Sequence, residues 1–377
     1  MKELPTILHV IDTTGPGGAE TVFVNLAEAT QNKGYSSIAL IRGKGWVYQE
    51  LKKRGVETIL LDCKGSFNLL FLWRLIKLIK FKRIDVIQTH LLGSNIYCAM
   101  AGFICRKQVY ATFHGGVDVS TSERFIKLKC LILNLGVTKF ISVSKALEQE
   151  IMTSGLLNTK KSLVISNGVD TDRYFKRNST PLRTELTLPA DAILVGSLGN
   201  VRPAKSYETL IEAAALALIK EPNLHFIIAG DTSREPIMSD IRSLIVQRNI
   251  FESVHFIGYR SDSANFLGQM DLFLLTSSSE GFSIATIEAL ATGLPIVATR
   301  CGGPEEILQN LDETVGIYLV DQNKEQISAA ILAGVENKNY RTTDLALSYS
   351  FNSSVDRYLD LYNTRSTNAV KRRQIQS

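Results

Sequence analysis

The 377-residue chain lacks the features that mark several protein classes. It has only five cysteines, and none are spaced as Cys-x-x-Cys. This argues against a zinc ribbon or a disulfide framework and favours a reducing, cytoplasmic compartment. No run of 18 uncharged apolar residues occurs, so we predict no transmembrane helix. An acid and a proline near the start interrupt the apolar core that a signal peptide needs. Since 45% of residues are hydrophobic and 21% charged, a disordered or collagen-like chain is excluded.

The net charge of +5 is divided unevenly along the chain. Residues 1–175 carry 23 basic and 14 acidic side chains, whereas residues 176–377 carry 19 and 23. Such asymmetry suggests that the first half meets an anionic partner, such as nucleic acid or a membrane. Without zinc-finger spacing or an aromatic RNA-binding signature, we expect no nucleic acid. That the first half is simply more basic remains an equal alternative.

Short β-branched runs alternate with helical stretches through both halves of the chain. This alternation predicts an α/β fold with two doubly wound, Rossmann-like domains built on parallel sheets. The polar stretch 170–189 has the composition of a linker. The predicted divisions are an N-terminal domain at 1–172, a C-terminal domain at 173–350, a helix at 351–364 that packs back towards the N-terminal domain, and a flexible tail at 365–377.

Most motifs for familiar chemistries are missing. The loop 12–20 is rich in glycine and precedes a helix start, which suits an anion such as phosphate. It is nevertheless neither a Walker A loop nor Gly-x-Gly-x-x-Gly, so NAD binding is not supported. Gly-x-Ser-x-Gly is absent, as are Asp-x-Asp and any His/Asp/Glu cluster with metal-ligand spacing. We therefore expect no metal or other cofactor.

The most informative segment is 278–299, which places Glu280 in a loop and Glu288 on the following helix. Eight helical positions turn roughly 80° past two full turns, so both carboxylates can serve one site if the first lies in the loop. Gly281 and Phe282 would lie at the positive end of that helix. The alternative is two ordinary solvated glutamates.

This segment closely resembles the donor-site signature of the retaining glycosyltransferases of family 4. In that signature a Glu is followed after seven residues by a second Glu, then Ala-Leu/Met-Ala and Gly-x-Pro. The resemblance implies the GT-B architecture, two Rossmann-like domains with the active site between them. Further matches in the family's order are Gly17-Gly18-Ala19-Glu20, Phe113-His114-Gly115, Val143-Ser144-Lys145, Asn167-Gly168-Val169-Asp170, Gly199 to Lys205, and Cys301-Gly302-Gly303-Pro304-Glu305.

The resemblance also implies roles for individual residues. Lys205, helped by Arg202, would neutralise the departing diphosphate of a nucleotide sugar. Glu288 would bind the ribose hydroxyls and Glu280 the sugar hydroxyls. His114 would lie near the transferred sugar. The backbone amides of Gly281, Phe282 and Ser283 would cradle sugar and phosphate, and Gly17 and Gly18 would cap the phosphates.

Two departures weaken the assignment of Arg202. The family has Arg directly after the glycine of its Gly-Arg…Lys-Gly motif, where this chain has Asn200. The glycine after the lysine is replaced by Ser206.

Among the five histidines, His90 and His114 end strands, where ligands bind in this fold. We favour His114, because Gly115 and Gly116 follow it.

The stretch 68–83 predicts a helix with an unusual surface. One face, with Phe71 and Leu75 at its centre, is wide enough to bury on a sheet. The opposite arc mixes Arg74, Lys77 and Lys80 with large apolar groups including Trp73, as an interfacial membrane helix does. Coverage by a neighbouring loop or subunit is an equal alternative. A peripheral position on the inner face of the plasma membrane would suit a lipid-linked acceptor.

Together these features predict a retaining glycosyltransferase that moves a hexose or N-acetylhexosamine from UDP- or GDP-sugar to a glycan or lipid-linked acceptor. Synthesis of bacterial surface polysaccharide, lipopolysaccharide or capsule is the expected setting. Two alternatives are a nucleotide-sugar epimerase of the same fold and a non-catalytic sugar-nucleotide-binding subunit.

Overall fold

The computed structural model describes residues 4–62, 68–115, 124–175, 181–337 and 343–374. The chain divides into a first domain, up to Asn167 and again from Asn352, and a second domain, Gly168–Phe351. The predicted boundary after residue 172 is therefore too late. Val169 already belongs to the second domain, because its N–H donates to the carbonyl of Tyr349 at 2.9 Å.

The first domain is built on a parallel seven-stranded sheet, in the order β3-β2-β1-β4-β5-β6-β7. Its central strands are apolar and buried, as expected for a parallel sheet with helices on both faces. The strands are β1 (Thr6–Ile11), β2 (Ser36–Ile41), β3 (Glu57–Leu60), β4 (Val86–His90), β5 (Gln108–Phe113), β6 (Lys139–Ser142) and β7 (Ser162–Val164).

Helices connect these strands. Right-handed crossovers place the helices that follow β1 and β2 on one face, and those that follow β3, β4 and β5 on the other. They are α1 (Gly18–Asn32), α2 (Trp46–Lys53), α3 (Leu69–Phe81), α4 (Leu92–Cys105), α5 (Ile126–Gly136) and α6 (Lys145–Thr153). Among the described residues, no helix is long and apolar enough to cross a bilayer.

The second domain has a parallel six-stranded sheet, in the order β10-β9-β8-β11-β12-β13. Its strands are β8 (Ile193–Leu198), β9 (Leu224–Ala229), β10 (Val254–Phe256), β11 (Leu272–Leu275), β12 (Ile296–Thr299) and β13 (Ile317–Val320). Its helices are α7 (Pro181–Glu185), α8 (Tyr207–Leu218), α9 (Glu235–Gln247), α10 (Ser263–Leu267), α11 (Ile284–Thr292), α12 (Gly303–Leu308) and α13 (Lys324–Glu336). The predicted α/β class with two Rossmann-like domains is confirmed.

The last helix, α14 (Phe351–Gln374), returns to the first domain. The hydroxyl of Ser354 donates to the carbonyl of Ser166 at 3.0 Å, and the ring of Tyr362 packs edge-on against His9. The helix continues through Gln374, beyond its predicted end at residue 364, and the flexibility of the tail from residue 365 stays a prediction.

The stretch predicted as a linker is largely folded into the second domain. It contains a 3-10 turn at Thr171–Arg173 and α7. Leu182 of α7 is buried, and its N–H donates to the side-chain oxygen of Gln269 at 2.9 Å. Polar composition misled the prediction here, because one apolar residue suffices to anchor so short a helix.

Candidate active site

The order of the second sheet reverses between β8 and β11. The chain leaves β8 towards β9 on one side, while β11 lies on the other. Ligands of doubly wound sheets bind at the carboxyl ends of the strands at such a switch point. The loops after β8 and β11 are joined there, since the N–H of Ser278 donates to the carbonyl of Ala204 at 2.8 Å.

Lys205 and Glu280 form a largely buried ion pair across these two loops. The ammonium lies 2.6 Å from Oε1 of Glu280, which also accepts from the hydroxyl of Ser277 at 2.8 Å. Burial is the largest single effect and lowers the pKa of Lys205, but the Glu280 carboxylate, together with Tyr207 and Cys301, outweighs it, so the net shift is upward. Lys205 is therefore a permanent positive charge at the switch point.

Glu288 lies on the first helix after the Glu280 loop and has different partners. Its Oε1 accepts from the hydroxyl of Tyr174 at 2.6 Å and from that of Ser263 at 3.2 Å. Burial raises the pKa of the carboxyl, although both hydrogen bonds oppose the rise. The arrangement is a partly buried carboxylate that already accepts from two hydroxyl groups, as it would from a diol.

Backbone contacts hold the Glu280 loop against the loop after β12. The N–H of Glu280 donates to the carbonyl of Cys301, and the N–H of Gly303 donates to the carbonyl of Glu280, both at 2.9 Å. A side chain at Gly303 would lie 2.6 Å from Cα of Phe282, so only glycine fits. This close approach fixes the position of the loop.

The residues that end the Glu280 loop are anchored by side-chain contacts. The Phe282 ring is buried and packs 5.9 Å from that of Tyr349. Ser283 caps α11, its hydroxyl oxygen accepting from the N–H of Thr286 at 3.4 Å. Gly281, Phe282 and Ser283 thus lie at the positive end of a nine-residue helix.

The loop after β8 contains both departures from the family motif, and the structure gives a reason for the first. Asn200 is structural, because its side-chain oxygen accepts from the N–H of Asp231 at 2.9 Å. Ser206 has φ +46°, a conformation that favours the glycine usual at this position. Arg202 is exposed and precedes the turn that carries Lys205. Its assignment to the donor site remains a prediction.

In the first domain, the switch point lies between β1 and β4. Gly17 and Gly18 follow β1 and begin α1, with Gly17 as its N-cap. A side chain at Gly17 would collide with the carboxylate of Glu20. The glycines therefore lie where a phosphate can approach backbone amides, although Glu20 occupies part of the space beside them.

His114, just after β5, is paired with His90 at the end of β4. Nδ1 of His90 lies 2.9 Å from Nε2 of His114, with ring centroids 5.2 Å apart. Burial lowers the pKa of His114 to about 4 and that of His90 well below its usual range. Both rings are therefore neutral near pH 7. Gly115 follows His114 directly, and Gly116 lies outside the described residues.

Sequence reasoning missed several partners of the predicted residues. Tyr174, Ser263 and Ser277 form hydrogen bonds with the two glutamates, and His90 pairs with His114. These hydroxyl groups belong to no recognisable motif. The pairing of His90 with His114 could have been predicted, because both histidines were expected at strand ends and such ends share one edge of a sheet.

The helix predicted at 68–83 is α3, and its outer face is exposed. Asn68 caps it, and Phe71, Leu75 and Ile79 are buried. Trp73 is 51% exposed and the ammonium of Lys77 lies 3.7 Å from the centre of its ring. Phe81 is 82% exposed. Within the described part of the chain, the basic and aromatic face is not covered.

Two family models match consecutive parts of the chain. The model for Glycosyltransferase Family 4 matches residues 16–173, and that for Glycosyl transferases group 1 matches residues 178–343. These matches fall on the two domains and include every residue of the predicted donor site. Together they cover most of the chain.

Curated relatives and solved structures agree with the models. The O-antigen biosynthesis glycosyltransferase WclY of Escherichia coli is 30% identical over 144 residues, which span 38% of this chain but only 39% of that protein. An E. coli UDP-Gal:alpha-D-GlcNAc-diphosphoundecaprenol alpha-1,3-galactosyltransferase is 28% identical over 76% of this chain and 77% of its own. HepE of Anabaena, solved with UDP-glucose, superposes with a TM-score of 0.79 at 21% identity, covering 97% and 99% of the chains. The chain therefore belongs to the glycosyltransferases of GT-B fold, with a family 4 N-terminal part and a group 1 C-terminal part.

Proposed function

We propose that this protein is a retaining glycosyltransferase that moves a hexose or N-acetylhexosamine from a nucleotide-diphosphate sugar to a hydroxyl group of a glycan or lipid-linked acceptor. The observation that carries the proposal is the second-domain switch point. There, a permanently charged Lys205 lies beside Glu280, and Glu288 is presented to hydroxyl groups. The Lys205 charge suits a diphosphate, and the carboxylates of Glu280 and Glu288 suit the hydroxyl groups of a sugar and a ribose.

Each side chain has a distinct part in the reaction. The ammonium of Lys205 stabilises negative charge that grows on the diphosphate as it leaves, with Arg202 as a second cation. Glu288 holds the ribose hydroxyls in place of the hydroxyls of Tyr174 and Ser263. Glu280 and the amides of Gly281, Phe282 and Ser283 orient the sugar. In the first domain, Gly17 and Gly18 approach phosphate and His114 contacts the transferred sugar.

Transfer proceeds on one face of the sugar. The bond between the anomeric carbon and the phosphate oxygen breaks, and the acceptor oxygen bonds to the same face of that carbon. The acceptor proton passes to an oxygen of the departing diphosphate. The product keeps the donor's anomeric configuration, and no covalent intermediate with the protein is needed. Positive charge from Lys205 and the α11 dipole serves the leaving group without a resident metal ion.

The names of two relatives support a proposal for the donor and the setting. One relative is named for transfer from UDP-Gal to a diphosphoundecaprenol-linked sugar, and a second for O-antigen biosynthesis. We propose a UDP-sugar as donor, a lipid-linked glycan as acceptor, and a place in bacterial surface polysaccharide synthesis. The corresponding location is the cytoplasm, at the inner face of the plasma membrane.

Transfer of labelled sugar by the purified chain tests the activity directly. We expect UDP to raise the melting temperature more than GDP does, and a labelled UDP-hexose or UDP-N-acetylhexosamine to label a diphosphate-lipid-linked acceptor. Turnover should be unchanged by EDTA, since no divalent ion is assigned to the site. Failure to transfer from any UDP- or GDP-sugar would contradict the proposal, and a changed sugar still attached to nucleotide would indicate an epimerase.

We further propose that the first domain docks on an anionic membrane through α3. The exposed Trp73 and Phe81 supply apolar contact, and Lys77 supplies charge, at roughly 1 kcal/mol per basic residue near an anionic leaflet. On the same face of the sheet, α4 packs beside α3 and α5 packs beside α4. Helix α5 also exposes leucines, and neither α3, α4 nor α5 contains an acidic residue. Basic charge beside exposed apolar groups matches a bilayer surface better than an acidic protein.

Vesicle flotation tests this surface. Trp73→Glu/Lys77→Glu is expected to abolish most co-flotation with phosphatidylglycerol vesicles, because it removes the interfacial aromatic and reverses local charge. Lys52→Glu/Lys53→Gln on α2 changes net charge equally and should leave flotation intact. Equal flotation of the double variant and the wild type would rule out α3 as the docking surface.

A further inference from the structure

A buried row of polar side chains joins the last helix to His114. The hydroxyl of Tyr362 lies 3.1 Å from Oε1 of Gln88, whose Nε2 lies 2.8 Å from the hydroxyl of Thr112 and 3.5 Å from Nε2 of His90. His90 in turn lies 2.9 Å from His114. All of these residues belong to the first domain, and Gln88, His90 and Thr112 have no exposed surface.

Tyr362 sets the orientation of the Gln88 amide. Its hydroxyl is buried, and among the described residues Gln88 is its one hydrogen-bond partner. The phenolic proton needs an acceptor, because an unpaired buried donor costs about 1–3 kcal/mol. The amide oxygen of Gln88 therefore faces Tyr362, and its NH₂ group faces Thr112 and His90.

This orientation determines where the protons lie on both rings. Nε2 of His90 faces the Gln88 NH₂ group and must accept, so the single proton of neutral His90 lies on Nδ1. That proton is donated to Nε2 of His114. Nε2 of His114 is then an acceptor, and its own proton lies on Nδ1.

We propose that Tyr362 is a positioning residue, which acts through Gln88 and His90 to hold His114 as the Nδ1–H tautomer. A neutral histidine in this form donates one hydrogen bond from Nδ1, and a sugar hydroxyl oxygen is a suitable acceptor. Contact with the sugar rests on the proposed function, whereas the tautomer does not. Without the Tyr362 hydroxyl, the Gln88 side-chain amide can rotate by about 180°, so that its oxygen faces Thr112 and His90. Donor and acceptor are then exchanged in each hydrogen bond of the row.

Nitrogen NMR of ¹⁵N-histidine-labelled full-length protein tests the tautomer, with His114→Gln used to assign the signal. In the wild type we expect the Nδ1–H form of His114. In Tyr362→Phe we expect a mixture of tautomers and a decrease in kcat of about threefold to tenfold, the effect of one neutral hydrogen bond. The KM for the donor should change little.

Tyr110→Phe is the matched control, since the Tyr110 hydroxyl donates to the carbonyl of Leu361 on the same helix but lies outside the row. It should leave the His114 tautomer unchanged. An Nε2–H form of His114 in the wild type, or an unaltered tautomer in Tyr362→Phe, would overturn the proposed role of Tyr362. A tautomer change in a protein that transfers no sugar would support that role and contradict the proposed function.

Discussion

Lys205→Ala is expected to lower kcat by about 10²–10³-fold, the usual cost of losing one group that stabilises transition-state charge. The Lys205 ammonium is the cation that the structure fixes at the second-domain switch point, 2.6 Å from Glu280. Steady-state transfer with a labelled UDP-sugar measures the effect. Substrate affinity should change less than turnover, because the charge on the diphosphate grows as the bond breaks.

The Lys205 variant needs a stability control. Removing the lysine leaves the Glu280 carboxylate buried without its cation, which typically destabilises a protein by about 3–5 kcal/mol. Lys205→Met/Glu280→Gln should recover most of the lost melting temperature while turnover stays low. Lys220→Ala, at an exposed lysine of the same domain, should change neither the melting temperature nor turnover. Near-normal turnover of folded Lys205→Ala would show that the diphosphate lies elsewhere.

Glu288→Ala is expected to lower kcat/KM at least a hundredfold. Two hydrogen bonds from ribose hydroxyls to a carboxylate are worth about 1.5–3 kcal/mol each. UDP affinity, measured by calorimetry, should fall in parallel. Tyr174→Phe removes one hydrogen-bond partner of Glu288 but keeps the carboxylate, so it should lower kcat/KM much less than Glu288→Ala does. Glu325→Ala is the exposed control, and wild-type UDP affinity in Glu288→Ala would contradict the ribose assignment.

The pH dependence of donor binding provides a second measurement on Glu288. Burial raises the pKa of this carboxyl above its usual value of 4.5, and only the ionised form accepts two hydrogen bonds fully. UDP affinity should therefore fall on acidification at a higher pH than an ordinary glutamate gives. The free energy of unfolding changes with pH in the opposite direction. The contribution of Glu288 to it is greatest at low pH and is lost as pH rises through the raised pKa. Glu288→Gln should flatten both profiles.

Much of the fold could be predicted because apolar runs of the right length mark parallel strands. The alternating runs predicted both sheets, although the apolar run that contains β4 begins at Ile84, before the strand itself at Val86–His90. Ile84 is apolar and buried, yet its N–H donates to the carbonyl of Ile79 at the end of α3. Hydrophobicity indicates burial but does not show which backbone group is the partner.

The candidate site was less predictable. Motif spacing identified Lys205, Glu280 and Glu288, but did not indicate that the first two form an ion pair. That contact depends on β8 and β11 being neighbours, which follows from sheet order rather than from any local pattern. The contact of Tyr174 with Glu288 spans 114 residues and likewise has no local signal.

The return of α14 has a consequence for how the protein is made. The second domain, Gly168–Phe351, is inserted into the first, which is completed only by residues after it. At 5–20 residues per second, a ribosome needs roughly 10–40 s to synthesise such an insert. During that interval Tyr358 and Tyr362 are not yet available to cover Gln88 and Thr112. The growing chain therefore carries an open, partly polar sheet face, and the second domain is the first that can finish folding.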